Sequence, residues 1–248
     1  MRLLGIAIGI ICISFASTVR AEEADKGFQE LFNGRDLAGW DADERIWSVE
    51  DGLLTGQTTA DTKLDHNTFA IWTGGEVDDF VLVAEFRLEG DNNSGVQYRS
   101  QRNPDASKGK YSIVGYQADI HPAPNYTGML YDEGGRGIAA ERGQQVTLGP
   151  DNAKEVKQVV PPEKLKAIDL SKWNKIRVTA RGNRLVHKIN GKQTVKVIDK
   201  DPKNAEARGL LALQVHAGPP MKVQFRSVKL KRLGDKKSPP AETAAADR

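Results

Sequence analysis

The strongest constraint in this sequence is a two-residue rhythm. Short apolar runs alternate with polar residues, turn dipeptides cut them at close intervals, and a 3.6-residue period is nearly absent. In the stretch 80–88, Phe86 and Leu88 fall on one side and Glu85 and Arg87 on the other; 175–180 alternates the same way. Runs at 184–189 and 193–198 flank Asn190-Gly191, and Trp47-Ser48-Val49 and Leu53-Leu54 flank Asp51-Gly52. Both dipeptides tolerate positive φ at two successive positions, which a tight hairpin turn demands. Residues 209–215 read as a further apolar strand. Val223 and Phe225 share one parity and Val228 and Leu230 the other, so a bulge is expected near Arg226-Ser227. Helical signals reduce to one short turn at 162–167. The polar segment 142–167, with Pro150 and Pro161-Pro162, reads as a surface insertion. Many short strands with regular turns predict an all-β, single-domain β-sandwich or jelly roll.

The ends of the chain carry a different message. Met1-Arg2, an apolar run at 3–15 and Thr18-Val19-Arg20-Ala21 have the three-part layout of a secretory signal peptide, with cleavage expected after Ala21. The apolar run is too short to span a bilayer, so no membrane span is expected after cleavage. The reading is an exported protein, periplasmic or secreted, with a signal peptide at 1–21 and a domain at 22–234. Residues 235–248 hold too little apolar surface to fold and are expected to form a disordered tail. The single cysteine, Cys12, leaves with the leader, so the mature domain must rely on its core rather than on disulfides. The whole chain has 36 Lys+Arg against 33 Asp+Glu; loss of Arg2 and Arg20 leaves 34 against 33, a net charge of +1. That balance removes the main electrostatic case for nucleic acid as a partner.

Three stretches place polar side chains on one face of a strand. Gln97 and Arg99 share a parity, as do Gln117, Asp119 and His121, and as do Gln214 and His216 on an otherwise apolar strand. A sandwich with one concave polar sheet would gather these rows into a groove for sugar hydroxyls. The glycine-rich stretch 126–136 follows and can bring Tyr131, Asp132, Glu133 and Arg136 to its rim. The four histidines have no metal-ligand spacing, and neither a phosphate loop nor a serine elbow is present. Ordinary glycoside hydrolysis needs two carboxylates, and the 117–121 row has only one, at its centre.

Eight motifs then fall in a specific order: Leu31-Phe-Asn-Gly-Arg-Asp-Leu-Ala-Gly-Trp40, Trp47 with Glu50-Asp-Gly52, Asn93-Ser-Gly-Val-Gln-Tyr-Arg99, Gly115-Tyr-Gln-Ala-Asp119, Gly128-Met-Leu-Tyr-Asp-Glu133, Trp173-Asn174, Asn190-Gly191 and Leu213-Gln-Val-His216. In these the chain resembles the 3-keto-disaccharide hydrolase domain family over about 28–233. The resemblance implies a concanavalin A-like jelly roll and exported members that cleave glycosides already oxidised at C3. A ketone at C3 acidifies the C2 hydrogen, so a base removes it and the C1 substituent departs by β-elimination; water then adds. On that basis Asp119 or His121 is the expected base and Glu133 the acid. Arg99 with Gln97 is the expected enolate or hydroxyl clamp, and His216, Gln214, Gln117 and Tyr131 position the sugar, with Arg136 at the rim. A divalent cation on the keto oxygen is chemically admissible, with Asp119, His121 and Glu133 as ligands. Many members carry Glu at the position of Gln117 and Gln at that of Asp119. The alternative reading is a lectin-like carbohydrate-binding domain that holds a sugar without reacting; exposed aromatic platforms would favour it.

Overall fold

A computed structural model describes residues 26–62 and 64–234. The expected signal peptide and C-terminal tail lie outside the described residues. The strands are, in chain order, β1 (Gln29–Glu30), β2 (Trp40–Asp41), β3 (Trp47–Glu50), β4 (Leu53–Thr58), β5 (Thr68–Trp72) and β6 (Phe80–Gly90). They continue with β7 (Ser94–Arg102), β8 (Ile113–Ile120), β9 (Leu130–Glu133), β10 (Gly137–Ala140), β11 (Gln144–Leu148) and β12 (Lys154–Gln158). The last five are β13 (Asn174–Arg181), β14 (Arg184–Ile189), β15 (Lys192–Asp199), β16 (Leu210–Val215) and β17 (Met221–Arg232).

These strands form two sheets. The outer one has ten strands in the order β12-β11-β15-β14-β13-β6-β17-β4-β3, with β1 added beside β17. The inner one has seven, in the order β10-β9-β8-β7-β16-β5-β2. The protein is an all-β jelly-roll sandwich. Turn chemistry fixes two of its hairpins: Asp51 and Gly52 have φ of 50° and 76°, Asn190 and Gly191 of 49° and 80°. The expected bulge in β17 lies between Phe225 and Ser227. The 142–167 segment is more ordered than a surface insertion. It supplies β11, which pairs in parallel with β15 and buries Val146 and Leu148, and the fully exposed edge strand β12.

One face of each sheet packs on the other. Val96, Tyr98, Tyr116, Ala118, Leu211, Leu213 and Val215 of the inner sheet meet Trp47, Phe80, Phe86, Val178 and Phe225 of the outer one in a single apolar cluster. Because alternate side chains leave a strand on opposite faces, the same inner strands present Gln97, Gln117, Asp119 and Gln214 on the far side. The β7–β8 hairpin then bends back over that far side. Phe69 N donates to the Tyr111 carbonyl (3.0 Å), and Ile113 packs with Phe69, Ile71 and Ala212. At the hairpin tip Arg102 and Lys110 both reach Asp41, at 2.7 and 3.0 Å. The hairpin thus covers the Phe69, Ile71 and Ala212 part of that face.

Two arginines expected in the groove brace the fold instead. The β7–β8 ladder shifts register between Tyr98 and Gln101, and Arg99 sits inside that bulge with φ of 50°. It does not share the face of Gln97. Its guanidinium donates to the carbonyls of Asp78 (2.8 Å), Gly182 (2.8 Å) and Glu206 (3.0 Å) and to Asp79 (3.1 Å), which ties together loops that precede and follow distant strands. Strict alternation cannot foresee a bulge that removes one residue from the count. Arg136 likewise turns away from the rim. It pairs with Asp132 (2.7 Å) and Asp199 (2.6 Å), with Asp201 at 3.7 Å, and all four side chains are at least nine-tenths buried. Tyr116 Oη donates to the same Asp199 at 2.5 Å, and burial followed by that carboxylate raises its pKa.

Removing one member of a buried ionic group leaves the others uncompensated, at a cost of about 3–5 kcal/mol. Arg136→Ala is expected to lose stability by that amount in chemical denaturation, whereas Arg102→Ala, on an exposed pair with Asp41, is expected to lose about 1 kcal/mol or less.

Candidate functional site

The site grows from the register of four inner-sheet strands. Gly95 stands opposite Asp119, and Gln97, Gln117 and Tyr131 stand in one row across β7, β8 and β9. Gly95 has no side chain, and Gln117 lies in the space this leaves: a Cβ on Gly95 would stand 2.4 Å from Gln117 Cδ. From there Gln117 Nε2 donates to Asp119 Oδ1 (2.8 Å) and to Gln214 Oε1 of β16 (3.2 Å). Asn93 Nδ2 approaches the same carboxylate oxygen at 3.5 Å. Gln117 Oε1 and Gln214 Nε2 are buried with no hydrogen-bond partner among the described residues. A floor with one unmet acceptor and one unmet donor is costly to a fold, by about 1–3 kcal/mol for each such group.

Burial dominates the electrostatics. Asp119 is 2% exposed, and desolvation lifts its carboxyl to about 7 against the hydrogen bonds from Gln117 and Asn93. Glu133 is also raised by burial, opposed by Asn67, whose Nδ2 donates to Glu133 Oε1 at 3.1 Å, and by His216. Tyr131 is raised by burial and then by the charges of Glu133 and Asp119. His121 is lowered by burial and by the neighbouring His216, so it is neutral at pH 7.

Hydrogen bonds assign the tautomers of the two imidazoles. His121 Nδ1 accepts from Ala123 N (2.9 Å), so its proton sits on Nε2 and that nitrogen is a donor. His216 Nδ1 faces the Ala217 carbonyl at 2.5 Å, so it carries the proton and leaves Nε2 as an acceptor. Both alternatives for the base carry hydrogen bonds: Asp119 Oδ1 accepts from Gln117 and Asn93, and His121 Nδ1 from Ala123 N. His121 would have to give up its backbone contact to take a proton; Asp119 already sits poised near neutrality.

The inner sheet brings together Asp119, His121, Glu133, Gln117, Tyr131, Gln214 and His216. Gln97 belongs to the same row but is fully buried and spent on the β7 bulge, where its amide stands 2.7 Å from both Ser100 Oγ and the Tyr116 carbonyl. Arg99 and Arg136 are absent from this group for the reasons given above. Among the described residues no three His, Cys, Asp or Glu side chains are arranged to hold a metal ion. Asp119, His121 and Glu133 therefore do not form the cation set the sequence admitted. Sequence reasoning missed Asn67 and the role of Gly95. Asn67 lies just before β5, and its Oδ1 also accepts from Ala217 N (3.0 Å), so it links Glu133 to the strand that carries His216. Its partners are 66 and 150 residues away, so no local pattern announces the link.

The solved structures most like this chain include two candidate glycosyl hydrolases from Parabacteroides distasonis. The first is 24% identical with a TM-score of 0.58, covering 86% of this chain and 97% of the other. The second is 18% identical with a TM-score of 0.52, covering 83% and 99%. Both share the two-sheet fold. No curated protein matches the chain. The family model for the 3-keto-alpha-glucoside-1,2-lyase-like domain matches residues 27–231, a span that takes in both sheets and the whole polar row. The chain belongs to the family of 3-keto-alpha-glucoside-1,2-lyase-like domains.

Proposed function

We propose that this domain cleaves 3-keto-glycosides by elimination, with Asp119 as the base. The observation that carries the reading is one fully buried carboxylate held near pH 7 beside a second carboxyl biased toward its protonated form. Two groups with raised pKa values and different hydrogen-bond partners are the equipment for moving a proton in and a proton out. Asp119 takes the C2 proton of the sugar, and the electron pair moves onto the C3 oxygen as an enolate. The pair then returns, C1=C2 forms, the C1–O bond breaks, and Glu133 protonates the leaving oxygen. Hydration of the resulting enone, with water adding at C1 and a proton at C2, makes the net reaction a hydrolysis. His121 Nε2–H supplies a neutral donor of the kind an enolate oxygen needs. Gln117 fixes the Asp119 carboxylate, and Gln214, Tyr131 and His216 offer hydroxyl partners.

A binding module is the weaker reading, since it would present exposed aromatic platforms. Trp40, Trp47 and Trp72 are in the core, and Trp173 is faced by Arg87 and Arg226 on the other sheet.

The substrate test is nitrophenol release from a nitrophenyl 3-keto-glucoside and from its unoxidised parent. Turnover of the keto form alone is expected; equal release from both would overturn the elimination chemistry. Because Asp119 works as its anion, kcat/KM is expected to rise with pH and level off above about 7.

Asp119→Asn is expected to cost about 10²–10⁴-fold in kcat/KM and to have the opposite effect on stability. The folded carboxyl has a higher pKa than the unfolded one, at about 7 against 3.8, so the folded state holds the proton more tightly. Wild-type stability therefore falls as pH rises from about 4 through 7, by about 4 kcal/mol in all. The Asn variant lacks this loss and is expected to melt higher than wild type at pH 8 and equally at pH 4. A variant less stable at pH 8 would show that the carboxylate is not under strain.

Gly95→Ala tests the floor independently. The added methyl displaces Gln117 from Asp119, so turnover is expected to fall about 10²-fold while the circular dichroism spectrum stays that of the wild type.

A further inference from the structure

The outer sheet carries a charge pattern on the face opposite the groove that the proposed reaction does not use. Outward-facing side chains include Lys175, Arg177 and Arg181 on β13, Arg184 and Lys188 on β14, and Lys196 on β15. The register sets Arg177 directly opposite Lys188 and Arg181 directly opposite Arg184. Like charges at opposed positions weaken a sheet, and here they occur twice on one hairpin. Lys229 and Lys231 extend the field across β6, where Lys229 and Arg177 both stand opposite Val83.

Counter-charges are scarce on this surface. Glu85 is already shared by Lys175 (2.9 Å) and Arg226 (2.5 Å). Arg177, Arg181, Arg184, Lys188 and Lys196 make no salt bridge among the described residues, although the whole chain holds 33 acids to its 36 bases. Between the cations lies a depression of about 310 Å³ lined by Phe28, Val83, Lys175, Arg177 and Lys229, together with Glu85, whose carboxylate is the one already shared by two cations.

We propose that this face binds a linear carboxylated polysaccharide. Three of the five unpaired cations are arginines, whose planar forks match carboxylates in a way a point charge does not. A rigid sheet surface spaces them along rows, as a repeating polyanion requires. A membrane surface is less suited: of the exposed large apolar side chains among the described residues, Ile138, Val156 and Val159, one alone, Val156, lines a depression with a cation of this patch, Lys196 at its edge. Nucleic acid is less suited as well, because Phe28 is the one aromatic ring lining the depression. Bound this way, the domain would turn its groove away from the anionic matrix and toward diffusing substrate. This goes beyond the proposed reaction and stands or falls separately from it.

The test is binding of the full chain to immobilised polygalacturonate, with dextran, anionic phosphatidylglycerol vesicles and duplex DNA as comparisons. Binding to polygalacturonate is expected, with a loss of about tenfold or more between low and physiological salt, and none to dextran. The double variant Arg177→Glu, Arg184→Glu faces each new carboxylate with a cation, so it should fold at least as well as wild type. It is expected to bind polygalacturonate at least about tenfold more weakly, since each reversed charge changes the local field by two units, and to keep wild-type turnover of any soluble substrate. No binding to polygalacturonate, equal binding to dextran, or an unaffected double variant would overturn the proposal. Tighter binding to vesicles or DNA would overturn it in favour of those partners.

Discussion

The site depends on a polar tie that crosses the apolar layer. His187 of β14 is completely buried and reaches from the outer sheet into the inner one. Its Nε2 stands 2.8 Å from Tyr98 Oη and its Nδ1 3.1 Å from the Met129 carbonyl. The same carbonyl receives the backbone N–H of Asp119 at 3.3 Å. A carbonyl needs a donor at Nδ1, so the proton sits there and Nε2 accepts from the tyrosine. Burial keeps the ring neutral by lowering its pKa to about 4, which makes this arrangement insensitive to ordinary pH. Thr194 of β15 adds a second tie by donating to the Gly128 carbonyl at 2.7 Å. The turn that precedes β9 is thus held by the opposite sheet, and Asp119 is held by that turn.

Rigidity of this kind is what allows a carboxylate to remain desolvated. A loosely packed groove would let water reach Asp119 and return it to the ordinary carboxylate range. Here the amides of Gln117 and Asn93 cover one carboxylate oxygen, and Gln117 fills the space over Gly95. The cost appears as an acid lifted to about 7 and as two unmet amide atoms, Gln117 Oε1 and Gln214 Nε2. Such unfavourable terms gather at working sites because the surrounding packing can sustain them.

Much of this was legible in the sequence, and the parts that were not share a cause. Period-2 alternation gave the strands, the two hairpin dipeptides gave their turns, and the parity change before Val228 located a bulge. The same rule put Gln117 and Asp119 on one face, where they share a hydrogen bond; His121 and His216 lie just beyond the ends of β8 and β16, where alternation no longer applies. It failed at Arg99, where a second bulge reversed the parity with no apolar pattern to reveal it. Alternation made no reading of Arg136, which the glycine-rich stretch had suggested for the rim, or of Asn67; their partners Asp199 and Glu133 are 63 and 66 residues away. Alternation reports which face a side chain leaves by, and it is silent about long-range curvature. That curvature decides whether a face is open, roofed or crossed by another strand.

The position of β17 has a consequence for how the molecule comes into being. The last strand lies between β6 and β4, paired with β6 over residues 221–232. Until those residues leave the ribosome, the outer sheet is two fragments with facing unpaired edges, and nothing local can join them. Closure is therefore a late, long-range event, with the entropy of a loop of more than a hundred residues to overcome. The outer sheet is thus completed by its last strand rather than its first.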